Sequence, residues 1–446
     1  MSRAVIFSMK RFFLNKRIAM VLIVCSILQL SIPQSVFASE KVIGATRREV
    51  CEYLESVIDY NVFSEIEKMI FEDTDNEAVV WLKRYGLFEP EVLVSRQEAF
   101  TIIDCYARAL GLSTWSLKYD FSDYGEISSW ARDSVDRLLT SGIVQGTGSG
   151  IIDVHSPITI HQLSLMVERV KELSKQKKLL ENEVIKNIKL AEEQLQPGTK
   201  LAVSYVDANT GAIVNNNAAD LFHPASVIKD FYLYLFLDQV AKGEKSLEGT
   251  RLFIEKDKFG SPSIRVGGTG VMQSRPVNVN YKWRDLLSLM IINSDNVATN
   301  MVMKELGIDY INKRAKELGF SSIDVQGVLY QEPTAKTRVG VADMTKVLYL
   351  IDCLPRAERE FALKLMEMST DKNRIARHLK RNFWVGNKSG SIRATIGDTA
   401  IIRKLDTNNT VYLTTFIYHS LEKNVTVNRA ENVIADLSKR IMDLYQ

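Results

Sequence analysis

The sequence predicts an α/β (α+β) fold with an antiparallel sheet in its second half and an all-helical first half. Residues 39–172 repeat a pattern of short helices on a scale of about 50–60 residues. Residues 201–206 and 212–214 are apolar and flank an Asn209-Thr210-Gly211 turn, which predicts a hairpin. The apolar stretch 231–237 and the amphipathic stretch 430–444 predict helices that cover this sheet.

Residues 1–38 have the pattern of an export signal. Lys10, Arg11, Lys16 and Arg17 precede the apolar run 18–30, and Val36-Phe37-Ala38 offers small residues at which we predict cleavage, after Ala38. A retained membrane anchor is the alternative, although the run is short for a span and Pro33 follows it. The sequence therefore predicts a secreted protein without a stable membrane span after cleavage.

Charge and cysteine content exclude two classes of function. Removal of residues 1–38 leaves 52 basic and 54 acidic residues, so no basic excess favours nucleic acid. The remaining cysteines, Cys51, Cys105 and Cys353, are odd in number and widely spaced. At most one disulfide can form, and we predict neither a metal site nor a cofactor.

The best copy of the repeat lies at residues 121–159. It contains Phe121-Ser122-Asp123, Gly142-Ile143-Val144 and Pro157-Ile158-Thr159. These residues resemble an S-layer homology repeat. A second copy runs from Phe71 to Glu98, and a shortened third begins at Thr46.

The resemblance to S-layer homology repeats implies binding of an anionic cell-wall polysaccharide. Arg47 and Arg96 match the arginine of the family's binding block, and a guanidinium suits acidic groups. The last copy, Thr159-Ile160-His161-Gln162, lacks that arginine. A helical bundle that only supports the rest of the chain is the alternative.

Residues 173–196 are charged and predicted to be helical, and Pro197-Gly198 ends the helix. We predict that they connect the repeats to a domain at 197–446 and supply its first helix. In that domain residues 410–418 predict a later strand, and residues 430–444 a closing helix.

The pair Ser226 and Lys229 forms an S-x-x-K block. The same spacing occurs elsewhere in the chain, but here a turn precedes the serine and an apolar helix follows it. The two side chains then share one helical face. A serine hydroxyl needs a base to take its proton, and a lysine with a lowered pKa can be that base.

Two further blocks follow in order, Ser294-Asp295-Asn296 and Lys388-Ser389-Gly390. Alone, the first is usually a helix cap and the second a turn. The ordered set of three blocks resembles class A β-lactamases and penicillin-binding proteins. The resemblance covers about residues 178–446 and includes the stretches 268–300 and 386–402.

The family resemblance assigns roles to these residues. Ser226 becomes the nucleophile, Lys229 its base, Ser294 a proton shuttle and Lys388 a cation beside Ser294 and the substrate carboxylate. Substrate-binding positions follow in the same way: Asn296, Ser389, Gly390 and Ser391. It also implies the β-lactamase/transpeptidase-like fold, an antiparallel sheet flanked by helices with a helical subdomain.

Glu332-Pro333 matches half of the block that carries the deacylation base of class A β-lactamases. Ala335-Lys336 departs from that block, and the surrounding loop is shorter by roughly eight residues than the resemblance requires. We therefore expect acylation of Ser226 but slow release of the acyl group, with Glu332 as the candidate base for that release.

Three functions stay open at this point. The first is an exported β-lactamase-like serine hydrolase that hydrolyses or binds β-lactams. The second is a D-alanyl-D-alanine peptidase or another acyl hydrolase acting on peptidoglycan-like peptides. The third is a non-catalytic wall-binding protein whose pocket holds β-lactam-like ligands. All three predict a protein at the cell wall or cell surface.

Overall fold

The computed structural model describes residues 44–72, 89–112, 115–117, 119, 121–331, 337–407, 409–419, 421 and 423–446. The predicted export signal, Glu332 and most of the second repeat copy lie outside these residues. Within the described part of the chain, no helix combines the length and apolar character needed to cross a membrane.

The first half is helical, as predicted. Its helices are α1 (Arg47–Val57), α2 (Tyr60–Glu72), α3 (Arg96–Ala109), α4 (Ser129–Thr140) and α5 (Ile160–Glu192). Three of them begin with a capping box, in which the cap side chain and the third helical residue satisfy each other's backbone N–H groups. The caps are Thr46, Ser95 and Thr159.

The residues just before these caps join the three copies in a ring. Ala45 N donates to Ile158 O at 2.6 Å, Ile158 N to Val94 O at 2.8 Å, and Val94 N to Ala45 O at 2.9 Å. All three side chains are buried in one core. The backbone thus repeats the same junction three times, which explains why the sequence repeats there.

The second half contains a five-stranded antiparallel sheet in the order β2-β1-β9-β8-β7. Its strands are β1 (Thr199–Asp207), β2 (Ile213–Asn216), β7 (Phe383–Ile392), β8 (Thr395–Lys404) and β9 (Thr410–His419). Two small two-stranded sheets lie between β2 and β7 in the chain: β3 (Thr250–Phe253) with β6 (Val279–Lys282), and β4 (Phe259–Ser261) with β5 (Ile264–Arg265). The predicted hairpin is β1–β2.

Helices cover both faces of the sheet. The helices of this half are α6 (Lys229–Ala241), α7 (Trp283–Ile292), α8 (Asn296–Leu306), α9 (Ile308–Glu317), α10 (Val341–Asp352), α11 (Arg356–Glu367) and α12 (Val427–Met442). Of these, α10, α11 and α12 pack on strands of the sheet, whereas α7, α8 and α9 pack mainly on other helices. Leu201, Val203 and Tyr205 share a core with α12 and the end of α5, whereas Ala202 and Val206 share one with α6 and α10. This alternation is the period-two pattern of a strand buried on both faces. The predicted fold class, an antiparallel sheet flanked by helices after a helical module, is confirmed.

The two halves are in direct contact. The Trp115 ring meets the Tyr349 ring edge-on, with centroids 4.3 Å apart, and Tyr349 Oη donates to Ser116 O at 3.1 Å. Asn209 Nδ2 donates to Thr140 O at 3.0 Å. Helix α5 also runs unbroken through the predicted boundary at residue 172. The module therefore packs on α10 and the β1–β2 turn.

Candidate active site

Ser226 lies in a 3-10 turn, Ala225–Ile228, that leads directly into α6. Ala225, which precedes it, has a φ of 51°, in the left-handed region that non-glycine residues rarely adopt. Such strain persists only where the surrounding structure enforces it, and it clusters at functional sites. The turn presents Ser226, which is partly exposed, at the start of a helix whose first residues are buried.

Lys229 joins the first block to the second. Its Nζ lies 2.7 Å from Ser294 O, 2.9 Å from Asn296 Oδ1 and 3.0 Å from Ser294 Oγ. A neutral amine has two N–H groups for the two carbonyl oxygens, which leaves its lone pair for a hydroxyl proton. The lysine is thus arranged to exchange a proton with a serine.

The second block is held by Asp295, which the sequence analysis left without a role. It caps α8: its Oδ1 accepts from Val297 N and Ala298 N at 2.9 Å. Its Oδ2 accepts from the backbone amides of Val271 and Met272, at 2.6 and 2.8 Å. The carboxylate therefore fixes the loop before α7 against the start of α8 and orients its neighbours.

Asn296 is oriented at both ends of its amide. Besides the contact with Lys229, its Nδ2 donates to Gly267 O at 2.8 Å, and its backbone N–H donates to Thr269 O at 3.1 Å. Gly270, at φ 119°, approaches Asp295 so closely that a Cβ there would lie 2.3 Å from the carboxylate. The Gly268-Thr269-Gly270 stretch fits against the second block because it lacks side chains at these points.

The third block lies on the edge strand β7 beside Ser226. A Cβ on Gly390 would lie 2.7 Å from Ser226 N and 2.9 Å from Val227 N. Only glycine permits this approach, so the strand passes next to the backbone amide of Ser226. Ser389 and Ser391 flank that contact, and Ser389 is buried.

Lys388 is 2% exposed, and its Nζ donates to Ser389 O at 2.8 Å. Burial lowers the pKa of Lys388 to about 8, against the attraction of Asp230 and Asp398. Burial and then the positive charge of Lys388 hold the pKa of Lys229 well below its usual range, with Asp295 opposing. Lys229 is therefore the lysine suited to be a base near neutral pH.

Arg374 also belongs to the site, although sequence reasoning missed it. Its guanidinium is buried and donates to Gly390 O at 2.9 Å, to Gly397 O at 2.6 Å and to the hydroxyl of Ser391. No spacing relative to the three blocks signals this arginine, because it reaches β7 from the loop after α11. It adds a fixed cation behind the strand.

The loop that carries Glu332 is described only at its ends. Asn300 of α8 donates to Leu329 O at 2.9 Å and accepts from Leu329 N at 2.8 Å, and on the far side the backbones of Asp324 and Arg338 form an isolated antiparallel β-bridge. These contacts anchor both ends of the loop beside the second block. The role of Glu332 stays a prediction.

The two predicted wall-binding arginines lie in the helical module. Arg47 forms an ion pair with Glu89 at 2.9 Å and lies 3.9 Å from Glu98. Arg96 donates to Ile152 O at 3.1 Å, and its guanidinium lies 5.2 Å from the centre of the Phe100 ring. Both are engaged within the module, so an anionic polymer has to compete with these contacts.

The described residues contain no cluster of His, Cys, Asp and Glu suited to a metal ion, and no disulfide joins Cys51, Cys105 and Cys353.

Comparison with solved structures gives the same fold. A β-lactamase from Sphaerobacter thermophilus is 20% identical over 59% of this chain and 96% of its own, with a TM-score of 0.51. A β-lactamase from Chitinophaga pinensis is 20% identical over 59% and 99%, with a TM-score of 0.53. PBP-A is 20% identical over 59% and 95%, with a TM-score of 0.52. No sequence among the curated proteins matches the chain.

Family models match both halves. Residues 120–159 match the S-layer homology domain, within the predicted repeats. Residues 182–445, more than half of the chain, match the Beta-lactamase enzyme family. With the sheet, the helices and the three blocks in their places, the chain belongs to the Beta-lactamase enzyme family and carries an S-layer homology domain ahead of it.

Proposed function

We propose that this protein is an exported, class A-type serine hydrolase of the cell envelope that forms an acyl-enzyme on Ser226. The observation that carries the proposal is the contact of Lys229 Nζ with both Ser294 and Asn296, which unites two motifs 65 residues apart. The substrate is a β-lactam or a peptide resembling peptidoglycan, because both present an acyl group and a carboxylate.

Acylation follows from this arrangement. Lys229 takes the proton of Ser226 Oγ as that oxygen attacks the substrate carbonyl and forms a C–O bond. The backbone N–H groups of Ser226 and Ser391 stabilise the oxyanion, aided by the positive end of the helix that Ser226 opens. Collapse breaks the C–N bond, and the leaving nitrogen receives a proton through Ser294.

Recognition uses the cations and hydroxyls of β7. Lys388 and Arg374 attract the substrate carboxylate, Ser389 and Ser391 donate hydrogen bonds to it, and Asn296 binds the substrate amide. One solved relative in fold is a PBP-A variant described as an acyl-enzyme complex with penicillin G, which supports a β-lactam as the probe for this chain.

Deacylation distinguishes the candidate activities. A β-lactamase needs a positioned base that activates the water attacking the acyl-enzyme, and Glu332 is the candidate on the short loop. We expect the acyl-enzyme to accumulate, as in a penicillin-binding enzyme or a D-alanyl-D-alanine peptidase treated with a β-lactam. The S-layer homology domain supports retention at the cell wall, with Arg47 and Arg96 as proposed contacts to an anionic polysaccharide.

The test is a time course of intact protein mass with penicillin for the full chain, Ser226→Ala and Glu332→Gln. We expect a lasting adduct on the wild type, none on Ser226→Ala, and an unchanged adduct lifetime in Glu332→Gln. An adduct on Ser226→Ala would refute the nucleophile. Rapid turnover that Glu332→Gln traps as an adduct would identify a true β-lactamase, and a wild type without adduct or turnover would favour the non-catalytic wall-binding protein.

A further inference from the structure

Asp230 is a buried carboxylate that the acylation steps above do not use. It follows Lys229 directly in α6, is 0% exposed, and its Oδ2 accepts from Thr399 Oγ1 at 2.7 Å. Its Oδ1 has no hydrogen-bond partner among the described residues. A buried carboxylate oxygen that accepts no hydrogen bond lowers the stability of the fold. A role other than stability therefore has to explain the presence of Asp230.

The Thr399 hydroxyl links Asp230 to the backbone of Lys388. Thr399 is paired with Lys388 between β8 and β7, and the Thr399 hydroxyl lies 3.2 Å from Lys388 O. Asp230 therefore lies behind the strand position that carries the lysine. Of the charges that act on Lys388, that of Asp230 attracts its ammonium most strongly. Burial in turn raises the pKa of the Asp230 carboxyl to about 7.

Charged groups approach the lysine pair from each packed element. They are Asp230 on α6, Asp398 on β8, Asp295 before α8, and Asp371 and Arg374 on the loop after α11. Their distribution is uneven. Among the described residues, three carboxylates favour a proton on Lys388, whereas Asp295 alone favours one on Lys229, and its oxygens already accept four backbone N–H groups.

The proposed acylation requires the two lysines to differ in charge. Lys229 has to be neutral to take a proton, and Lys388 has to be protonated to attract the substrate carboxylate. Like charges on two nearby buried amines oppose each other, so a proton on Lys388 favours a neutral Lys229.

We propose, on the basis of the function proposed above, that Asp230 is a positioning residue that keeps Lys388 protonated. The charge on Lys388 then keeps Lys229 neutral, so that Lys229 can act as the base. The carboxylate of Asp230 acts through Lys388 and does not touch the substrate. Where the surroundings push the pKa values of two neighbouring groups apart, one group can act as an acid and the other as a base.

The test is the pH profile of acylation by penicillin in the full chain and in Asp230→Asn, which keeps the shape and removes the charge. Acylation should rise with pH as Lys229 loses its proton and fall as Lys388 loses its own. Without Asp230 the falling limb should move about one pH unit lower. The rising limb should move to higher pH, because a less protonated Lys388 opposes protonation of Lys229 less strongly. The pH range in which acylation is fast should therefore narrow from both sides.

Asp207→Asn is the matched control. Asp207 is also 0% exposed, but it lies at the end of β1, where it accepts from Thr210 and Tyr445. Its loss should lower stability without moving either limb. If Asp230→Asn lowers acylation evenly at every pH, as Asp207→Asn would, Asp230 has only a structural role and the proposal is wrong.

A second measurement does not depend on acylation. Lysine side chains carrying ¹³C at Cε can be titrated by NMR in the full chain, with Lys388→Arg to assign the signal. The signal of Lys388 should titrate at lower pH in Asp230→Asn than in the wild type, and an unchanged midpoint would overturn the inference. This result stands even where the wild type forms no penicillin adduct, which would refute only the proposed function.

Should Asp230→Asn fail to fold, Thr399→Val provides the alternative. It removes the hydrogen bond that favours the ionised carboxylate of Asp230. The falling limb and the NMR midpoint of Lys388 should then shift in the same direction by a smaller amount. No shift in this variant would also contradict the proposal.

Discussion

Lys229 and Lys388 show how strongly surroundings decide what a residue type does. Both side chains are buried, yet Lys229 contacts two motif residues through its Nζ, whereas three carboxylates favour a proton on Lys388. Burial lowers the pKa of each lysine, and the arrangement of neighbouring charges separates them. The same side chain is thus proposed as a base at one position and as a cation at the other.

The role of Lys229 can be tested by removing its amine while keeping a side chain of similar length. We expect Lys229→Met to slow acylation of Ser226 by about 10²–10⁴-fold, the range for a lost acid–base group. Stopped-flow measurement with a chromogenic β-lactam would give the rate. Lys242→Met is the control, because Lys242 ends the same helix and pairs only with Asp238 in the described structure. Equal acylation rates in the two folded variants would remove Lys229 from the mechanism.

Among the elements, β7 carries the tightest constraint on the site. The strand lies at the edge of the sheet, and its Gly390 allows it to pass against the amides of Ser226 and Val227. Every group on β7 that the mechanism uses depends on this approach. The distance between strand and nucleophile therefore sets the geometry of the oxyanion site.

Gly390→Ala should push β7 away from Ser226, since the added Cβ would lie 2.7 Å from the nucleophile's amide nitrogen. A displacement of about 1 Å at a reacting centre can reduce the rate about 10²-fold, so we expect a loss of that order in acylation. Gly125→Ala is the matched control, because no atom lies within 4 Å of its added Cβ. Acylation by Gly390→Ala at the wild-type rate would show that the contact is not needed.

At the scale of the whole molecule, the repeats and the enzyme domain form a packed pair. Trp115 packs its ring against Tyr349 and lies 6.1 Å from the Tyr412 ring, while α5 passes from one half into the other. The contact buries aromatic surface of the catalytic half. The module therefore contributes to the stability of the enzyme as well as to its proposed place at the wall.

Deletion of residues 39–172 should lower retention on purified cell-wall material and leave acylation at 25 °C intact. Salt should weaken the retention of the full chain, as expected for contacts between charges. Because Trp115 is lost, the truncated protein should unfold at a lower temperature, and Trp115→Ala alone should reduce stability by about 2 kcal/mol. Calorimetry and a pull-down assay would measure both effects.

Trp130→Ala provides the comparison, because Trp130 packs within the helical module and not against the enzyme. It should leave the unfolding of the catalytic half unchanged. Equal wall retention of full-length and truncated protein would instead favour a module that only supports the enzyme.

The sequence by itself determined the features that depend on neighbours along the chain. The capping boxes at Thr46, Ser95 and Thr159, the β1–β2 hairpin and the S-x-x-K spacing involve residues only a few positions apart, so local chemistry signals them. The order of the three motifs predicted the family and the fold. The close contacts of Gly270 and Gly390 need residues without a side chain, and both glycines belong to the stretches that resemble the family.

Only the tertiary structure decided which distant groups share the site. Asp230 and Thr399 are 169 positions apart, Arg374 reaches Gly390 from a loop, and Ser116 meets Tyr349 across 233 positions. Their roles come from burial and from the charges around them, which no spacing in the sequence records. Folding alone joins Asp230 to the backbone of Lys388 through the Thr399 hydroxyl, and the proposed separation of the two lysines into a base and a cation depends on that placement.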